Sequence, residues 1–150
     1  YKADRAKKEI SDKDVKIIIN TEFDLGMSTS LKLGLLNLHP DVEAVLFVLA
    51  DQPMIESDVI NRIIEEYNNT GSDIVAPFYD GKRGNPVLFD ISLKDKMMDI
   101  EGDVGARGLV ERSENIHKVN VDTSSVLLDV DTKGDLKKAR KLEREGFQDD

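Results

Sequence analysis

The sequence contains no cysteine in 150 residues, so disulfides, thiolate metal sites and a cysteine nucleophile are all excluded. Tryptophan is absent, aromatic residues make up 5%, and there are only two histidines, His39 and His117. Two histidines this far apart do not suggest a zinc cluster, and both are expected at the surface. No apolar stretch reaches the roughly 18 residues of a membrane span. No signal-peptide pattern is found, which makes a cytoplasmic location the default expectation. Basic residues are in deficit: 21 Lys and Arg face 30 Asp and Glu, for a formal net charge of −9. That charge argues against nucleic acid or an anionic membrane as the main partner. If the ligand is a phosphate, a negative protein needs metal ions or focused local positive charge to hold it. Neither GxGxxG nor GxxxxGK[ST] occurs, so the common phosphate loops are missing too.

What is present is a globular composition, 39% hydrophobic and 34% charged. A chain of this length suits a single domain, residues 1–150, burying roughly 70% of its unfolded surface. The pattern alternates helix and strand. Residues 2–10 read as a charged helix, and the β-branched run 15–20 as a strand. Residues 28–38 carry Leu31, Leu35 and Leu38 at helical spacing, with Ser28 as a cap. The apolar run 44–50 reads as a strand buried on both faces. Residues 59–68 form a helix with Ile60, Ile63, Ile64 and Tyr67 as its stripe, capped by Ser57 or Asp58. Strands follow at 73–77 and 86–89, with a turn at 81–84 between them. Helices are expected at 93–100 and 106–112, then strands at 116–121 and 125–130. A last helix, 133–145, turns Leu136, Ala139 and Leu142 inward and stops at Gly146, with a frayed tail beyond it. This is an α/β pattern without repeats or linkers.

Four groups of residues are suited to chemistry. The run 44–50 ends at Asp51-Gln52-Pro53, and ligands of open α/β sheets bind beyond the carboxyl ends of strands. A carboxylate there is a hard ligand suited to Mg²⁺. Near the C-terminus, Asp129-Val130-Asp131-Thr132 places two acids on one face of an extended segment. One of them could share a metal with Asp51, although Asp131 or Thr132 could instead simply cap the last helix. The third group, Gly26-Met27-Ser28-Thr29-Ser30, offers the N–H groups of a helix start to an anion or a polar base. The fourth comprises residues 81–86 and 102–108, where glycines permit close backbone approach and Arg107 adds positive charge. Tight turns explain the glycines of 81–86 equally well.

Taken in order, Gly-Met-Ser-Thr-Ser-Leu, Ala-Asp-Gln-Pro, Gly84-Asn85-Pro86-Val87-Leu88-Phe89, Gly102-Asp103-x-Gly105-Ala106-Arg107 and Asp129-Val130-Asp131-Thr132 closely resemble the MobA-like nucleotidyltransferases. Within that group the chain looks most like the molybdenum cofactor cytidylyltransferases, whose acidic motif reads Asp-Gln-Pro. The resemblance implies a three-layer α/β/α Rossmann-like nucleotidyltransferase fold with a mostly parallel sheet. It implies transfer of CMP from CTP to molybdenum cofactor with release of pyrophosphate. Asp51 and Asp131 would be the catalytic carboxylates holding Mg²⁺, or Mn²⁺ in its place. Gly26, Met27, Ser28 and Ser30 would line the base pocket, with Asp51 beside the nucleotide. Asn85, Asp103 and Arg107 would lie on the acceptor side or support its loops. A molybdoenzyme or its maturation chaperone would be a candidate partner.

The departure from the family lies upstream. Members begin with a strand and a loop of the type Leu-Ala-Ala-Gly-x-Ser-x-Arg-Met-Gly, which holds the triphosphate, and nothing here matches it. The expectation is therefore an N-terminally incomplete domain lacking two strands. Two alternatives stand beside the leading reading. One keeps the chemistry and changes the acceptor, for example to a sugar phosphate. The other is a non-catalytic, partner-binding module of the same fold. A phospho-accepting aspartate at Asp51, as in a receiver domain, is disfavoured because the accompanying acidic pair and lysine are not in place.

Overall fold

The computed structural model describes residues 2–113 and 115–145. In chain order the helices and strands are α1 (Ala3–Glu9), α2 (Met27–Leu36), β1 (Ala44–Phe47), α3 (Ser57–Thr70), β2 (Ile74–Tyr79) and β3 (Lys82–Arg83). There follow β4 (Val87–Asp90), α4 (Lys94–Met98), α5 (Arg107–Glu111), β5 (His117–Asn120) and α6 (Lys133–Glu145). Two compact units emerge, one from Tyr1–Val42 with Leu93–Ser113, the other from Glu43–Ser92 with Glu114–Asp150.

In the first unit α1 buries nothing, as its composition predicts. Helix α2 buries Ser28, Leu31 and Leu35, three positions on one helical face. Helix α4 packs against α2 and buries Met97 completely, while α5 buries Val110. The strand expected over residues 15–20 does not form. A β-branched run becomes a strand only where a neighbour completes its hydrogen bonds. Among the described residues none does so, and Val15, Ile17, Ile18 and Ile19 remain 37–56% exposed.

The second unit is built on one sheet. β1 pairs antiparallel with β4, β4 antiparallel with β2, and β2 antiparallel with the short β3. β5 adds in parallel, matching Val75 to His117 and Phe78 to Asn120. The pairing thus differs from the mostly parallel sheet expected, although β1, β2 and β5 do share a direction. The cause is local: residues 80–86 are too few for a crossover, so β2 and β4 must run antiparallel. Helix α3 covers the sheet, and Val59 and Ile63 join Val75, Leu88, Val119, Val121 and Val126 in one core. Phe47 meets Phe89 edge-on, with ring centroids 5.6 Å apart.

Several local elements differ from those expected. Strand β1 ends at Phe47, and Val48 and Leu49 are 54% and 37% exposed. The run is therefore not buried on both faces: all four residues of β1 are only half-buried, and among the described residues β1 is also bonded only along its β4 edge. Ile64 is exposed, and α3 is preceded by Glu56 without a side-chain cap. Residues 125–130 are not a strand: Ser124–Leu127 is a 3₁₀ turn, opened by Thr123 Oγ1 accepting the Ser125 N–H. Hydroxyl side chains that bond nearby backbone compete in this way with ladder formation. On α6 Ala139 is buried, while Leu136 is exposed and Leu142 half-buried; Gly146 and the tail lie outside the described residues. No helix among the described residues is long and apolar enough to cross a membrane.

Candidate active site

Two loops of the second unit carry the acids. One leaves β1 and contains Asp51; the other leads into α6 and contains Asp129 and Asp131. The Val130 N–H donates to the Asp51 carbonyl oxygen at 2.7 Å. Beside it, Gln52 Nε2 donates to Asp129 Oδ1 at 2.7 Å. These two bonds tie the loops together: Asp51 is in the first of them, and Asp131 directly follows its partner Val130. Among the described residues neither the Asp51 nor the Asp131 carboxylate has a hydrogen-bond or ion-pair partner, and both residues are exposed.

Helix α6 shows that Asp131 is not consumed by capping. Thr132 Oγ1 accepts the Asp135 N–H at 3.2 Å, while Asp135 Oδ2 accepts the Thr132 N–H at 2.9 Å and its hydroxyl at 2.6 Å. This is a reciprocal capping box. The Thr132 hydroxyl, and after it the Thr132 N–H, hold the Asp135 carboxyl below its ordinary value. Capping therefore falls to Thr132, and Asp131 is left available.

The donor set fits a hard divalent cation. Two unpaired carboxylates on joined loops match Mg²⁺, which takes one or two protein carboxylates and completes its octahedron with water and substrate phosphates. No group of three His, Asp or Glu able to hold an ion occurs among the described residues, so an all-protein cage is not what these loops offer. Asn85 lies in the same unit, its N–H donating to the Val126 carbonyl oxygen at 3.0 Å. A Cβ on the neighbouring Gly84 would sit 2.6 Å from Val126, so close internal packing explains this glycine.

The remaining sequence candidates belong to the first unit. Gly26 precedes α2 at φ 110°, and a Cβ there would meet the Gly102 backbone at 2.6 Å. Position 26 therefore needs glycine on two grounds. Because Gly26 brings no capping side chain, Asp103 takes that part: its Oδ1 accepts the Met27 N–H at 3.1 Å. Ser28, the expected cap, instead lies inside α2 and is buried. Asn20 Nδ2 donates to Thr29 Oγ1 and Ser30 Oγ, both at 2.8 Å. Gly26, Met27, Ser30 and Asp103 are thus drawn together around the start of α2. An anion there would be repelled by the Asp103 carboxylate; a neutral polar base would not. The Arg107 guanidinium is answered within its own helix by Glu111 at 2.7 Å.

Asn20 was read only as the end of a strand, and Gln52 only as the middle of the Asp51-Gln52-Pro53 group, without a role of its own. Asn20 is a polar residue just after a β-branched run, much as Asp51 follows an apolar one.

The family profile described as MobA-like NTP transferase domain matches residues 2–118. No curated protein matches the sequence significantly. Among solved structures, Rv0371c of Mycobacterium tuberculosis, in complex with manganese, aligns with a TM-score of 0.76 and 24% identity, covering 93% of this chain and 73% of that one. Molybdopterin-guanine dinucleotide biosynthesis protein A of Archaeoglobus fulgidus aligns at TM-score 0.68 and 18% identity, covering 95% and 75%. The 4-diphosphocytidyl-2C-methyl-D-erythritol synthase of Anaerococcus prevotii aligns at 0.66 and 17%, covering 95% and 74%. These likenesses show a shared α/β nucleotidyltransferase fold.

Proposed function

The chain belongs to the MobA-like NTP transferase domain family, and from that premise we propose that it transfers CMP from CTP to molybdenum cofactor with release of pyrophosphate. The observation that carries the reading is the pair of unpartnered carboxylates, Asp51 and Asp131, on two loops bonded to each other. Asp51 and Asp131 would hold Mg²⁺, with Mn²⁺ as its substitute; the manganese found with the Mycobacterium protein supports a divalent ion of this class. Bound there, the ion would supply charge neutralisation for the triphosphate, which also answers how a protein of charge −9 accepts so anionic a substrate.

Little further chemistry is asked of the protein. An acceptor phosphate oxygen bonds to the α-phosphorus, the bond to the bridging α–β oxygen breaks, and pyrophosphate leaves with its electrons. Transfers of this kind depend on positioning and electrostatics and need no protein nucleophile, in keeping with the lack of cysteine. Gly26, Met27, Ser28 and Ser30 would form the base pocket. The Asp103 carboxylate beside them supports a base that presents an amino group, as cytosine does and uracil does not. Asn85 and Arg107 are proposed on the acceptor side, in a protein acting in the cytoplasm and handing its product to a molybdoenzyme or its chaperone.

Calorimetric titration with CTP and Mg²⁺ tests the reading, with GTP, UTP and Asp51→Ala as controls. Metal-dependent binding that prefers CTP and is lost in D51A is the expected result. Equal binding of all three nucleotides would overturn the base assignment, and binding that ignores D51A would overturn the metal site.

A further inference from the structure

Gln52 is 5% exposed and sits between two exposed acids of its own loop system, Asp51 and Asp129. Its Nε2 is committed to Asp129 at 2.7 Å, while its Oε1 is buried without any hydrogen-bond partner. A buried polar atom left unsatisfied is costly, and a leucine of similar size would avoid that cost. An amide thus stands where a hydrocarbon would leave no polar atom unsatisfied, and the polar contact its side chain makes is the bond to Asp129.

That bond acts on the choice between two acids. Asp129 and Asp131 are two residues apart, and either carboxylate would suit a hard cation. Gln52 takes up Asp129, and the neighbouring bond from Val130 N to Asp51 O at 2.7 Å fixes the backbone between them. Asp131, next in the chain, is left unpaired. We propose that Gln52 is a positioning residue: it withdraws Asp129 from the cation and holds the 129–131 segment against Asp51, so that Asp51 and Asp131 alone form the metal site. An amide suits this role because it donates a hydrogen bond without adding charge. A glutamate would place a further negative charge against Asp129, and a leucine would leave Asp129 unheld. The inference rests on the metal reading of Asp51 and Asp131 given above.

The test uses the whole chain and Mn²⁺ as probe, read by the loss of the free-ion paramagnetic resonance signal. A second readout needs no metal: hydrogen exchange at the Val130 amide. Gln52→Leu removes the orphaned polar atom and is not expected to impair folding, which thermal melting checks. Expected are Mn²⁺ binding weakened about 10–100-fold, the usual effect of removing a residue that orients metal ligands, and faster exchange at Val130. Asp129→Asn keeps an oxygen for the Gln52 amide, so its loss of affinity should be smaller than that of Q52L. A loss in D129N equal to that in Asp51→Asn would make Asp129 a ligand and overturn the proposal. Unchanged Val130 exchange and unchanged Mn²⁺ affinity in Q52L would overturn it as well. Wild-type protein that takes up no Mn²⁺ would overturn the metal reading and this inference together, an outcome distinct from a wild type that binds and a Q52L that binds equally.

Discussion

The carboxylate of Asp103 accepts the backbone N–H of Met27 at 3.1 Å, a bond between residues 76 apart in the chain. It caps a helix whose own preceding residue, Gly26, has no side chain. Replacing Asp103 with alanine removes that acceptor and a negative charge from the positive end of α2. A loss of about 1 kcal/mol is expected, seen as a fall in melting temperature of about 2–4 °C. If the same carboxylate also serves the base, D103A will further weaken CTP binding more than UTP binding, which parallel titrations would measure.

Asp131 and its neighbour Thr132 should separate cleanly on substitution. Asp131→Asn and Asp51→Asn remove unpaired, exposed carboxylates, so melting should change little. Activity should fall at least about 100-fold, since metal charge stabilisation contributes several kcal/mol and each 1.36 kcal/mol is about tenfold in rate. Thr132→Ala breaks the box with Asp135 and should cost about 1 kcal/mol of stability while sparing metal affinity. Melting curves and Mn²⁺ titrations on the three variants check this. A destabilised D131N with intact metal binding would return Asp131 to a capping role.

These contrasts bear on what could be read from the sequence. Helix α6 keeps the bounds its spacing predicts, although of Leu136, Ala139 and Leu142 the structure buries Ala139 alone; the Thr132–Asp135 box that opens it lies within four residues, so its start is a local feature. Asp51 stands out as a candidate because an abrupt end to an apolar run is a local feature. Residues 15–20 misled because periodicity records a preference for a sheet, whereas a strand also needs a partner. The 3₁₀ turn at Ser124–Leu127 is not legible because Thr123 Oγ1 accepts the Ser125 N–H, a competition that hydrophobic patterning does not register. Gln52 is legible only as part of the Asp-Gln-Pro motif, and its bond to Asp129 is not: that partner is 77 residues away, and no local rule pairs them.

Gly84 offers a test of packing beside the acidic loops. A Cβ at this position would lie 2.6 Å from Val126 Cβ, Cγ2 and O, and Val126 belongs to the turn that leads to Asp129. Gly84→Ala must push that turn away, at a cost of about 1–3 kcal/mol for overpacking. Because the displaced turn feeds the metal loop, Mn²⁺ affinity should weaken as well. Val126→Ala removes only the Cγ2 contact and keeps Cβ and the carbonyl oxygen at 2.6 Å, so in the same chain it should not rescue either, measured by melting and titration.

Tyr67 and Asp90 predict a pH dependence. The Tyr67 hydroxyl donates to Asp90 Oδ2 at 2.6 Å and to the Glu43 carbonyl oxygen at 3.2 Å, joining α3 to the end of β4 and the start of β1. The bond to Asp90, with burial and the charges of Asp90 and Glu43 behind it, pushes the phenol from 10.0 to about 12. Asp90 is held below its ordinary 3.8, first by Ser92 and then by Tyr67. A raised phenol stabilises the fold fully below pH 10.0, and that contribution is lost as pH climbs through about 12. A lowered carboxyl acts in the opposite sense: its contribution is present above 3.8 and is lost as pH falls through the folded value. Tyr67→Phe should cost about 1 kcal/mol near neutrality and flatten the alkaline limb between pH 10 and 12. The acid limb should shrink only in part, because Ser92 still holds Asp90. Urea denaturation across the pH range measures both limbs. An alkaline limb unchanged in Y67F would mean that another group, not this phenol, titrates there.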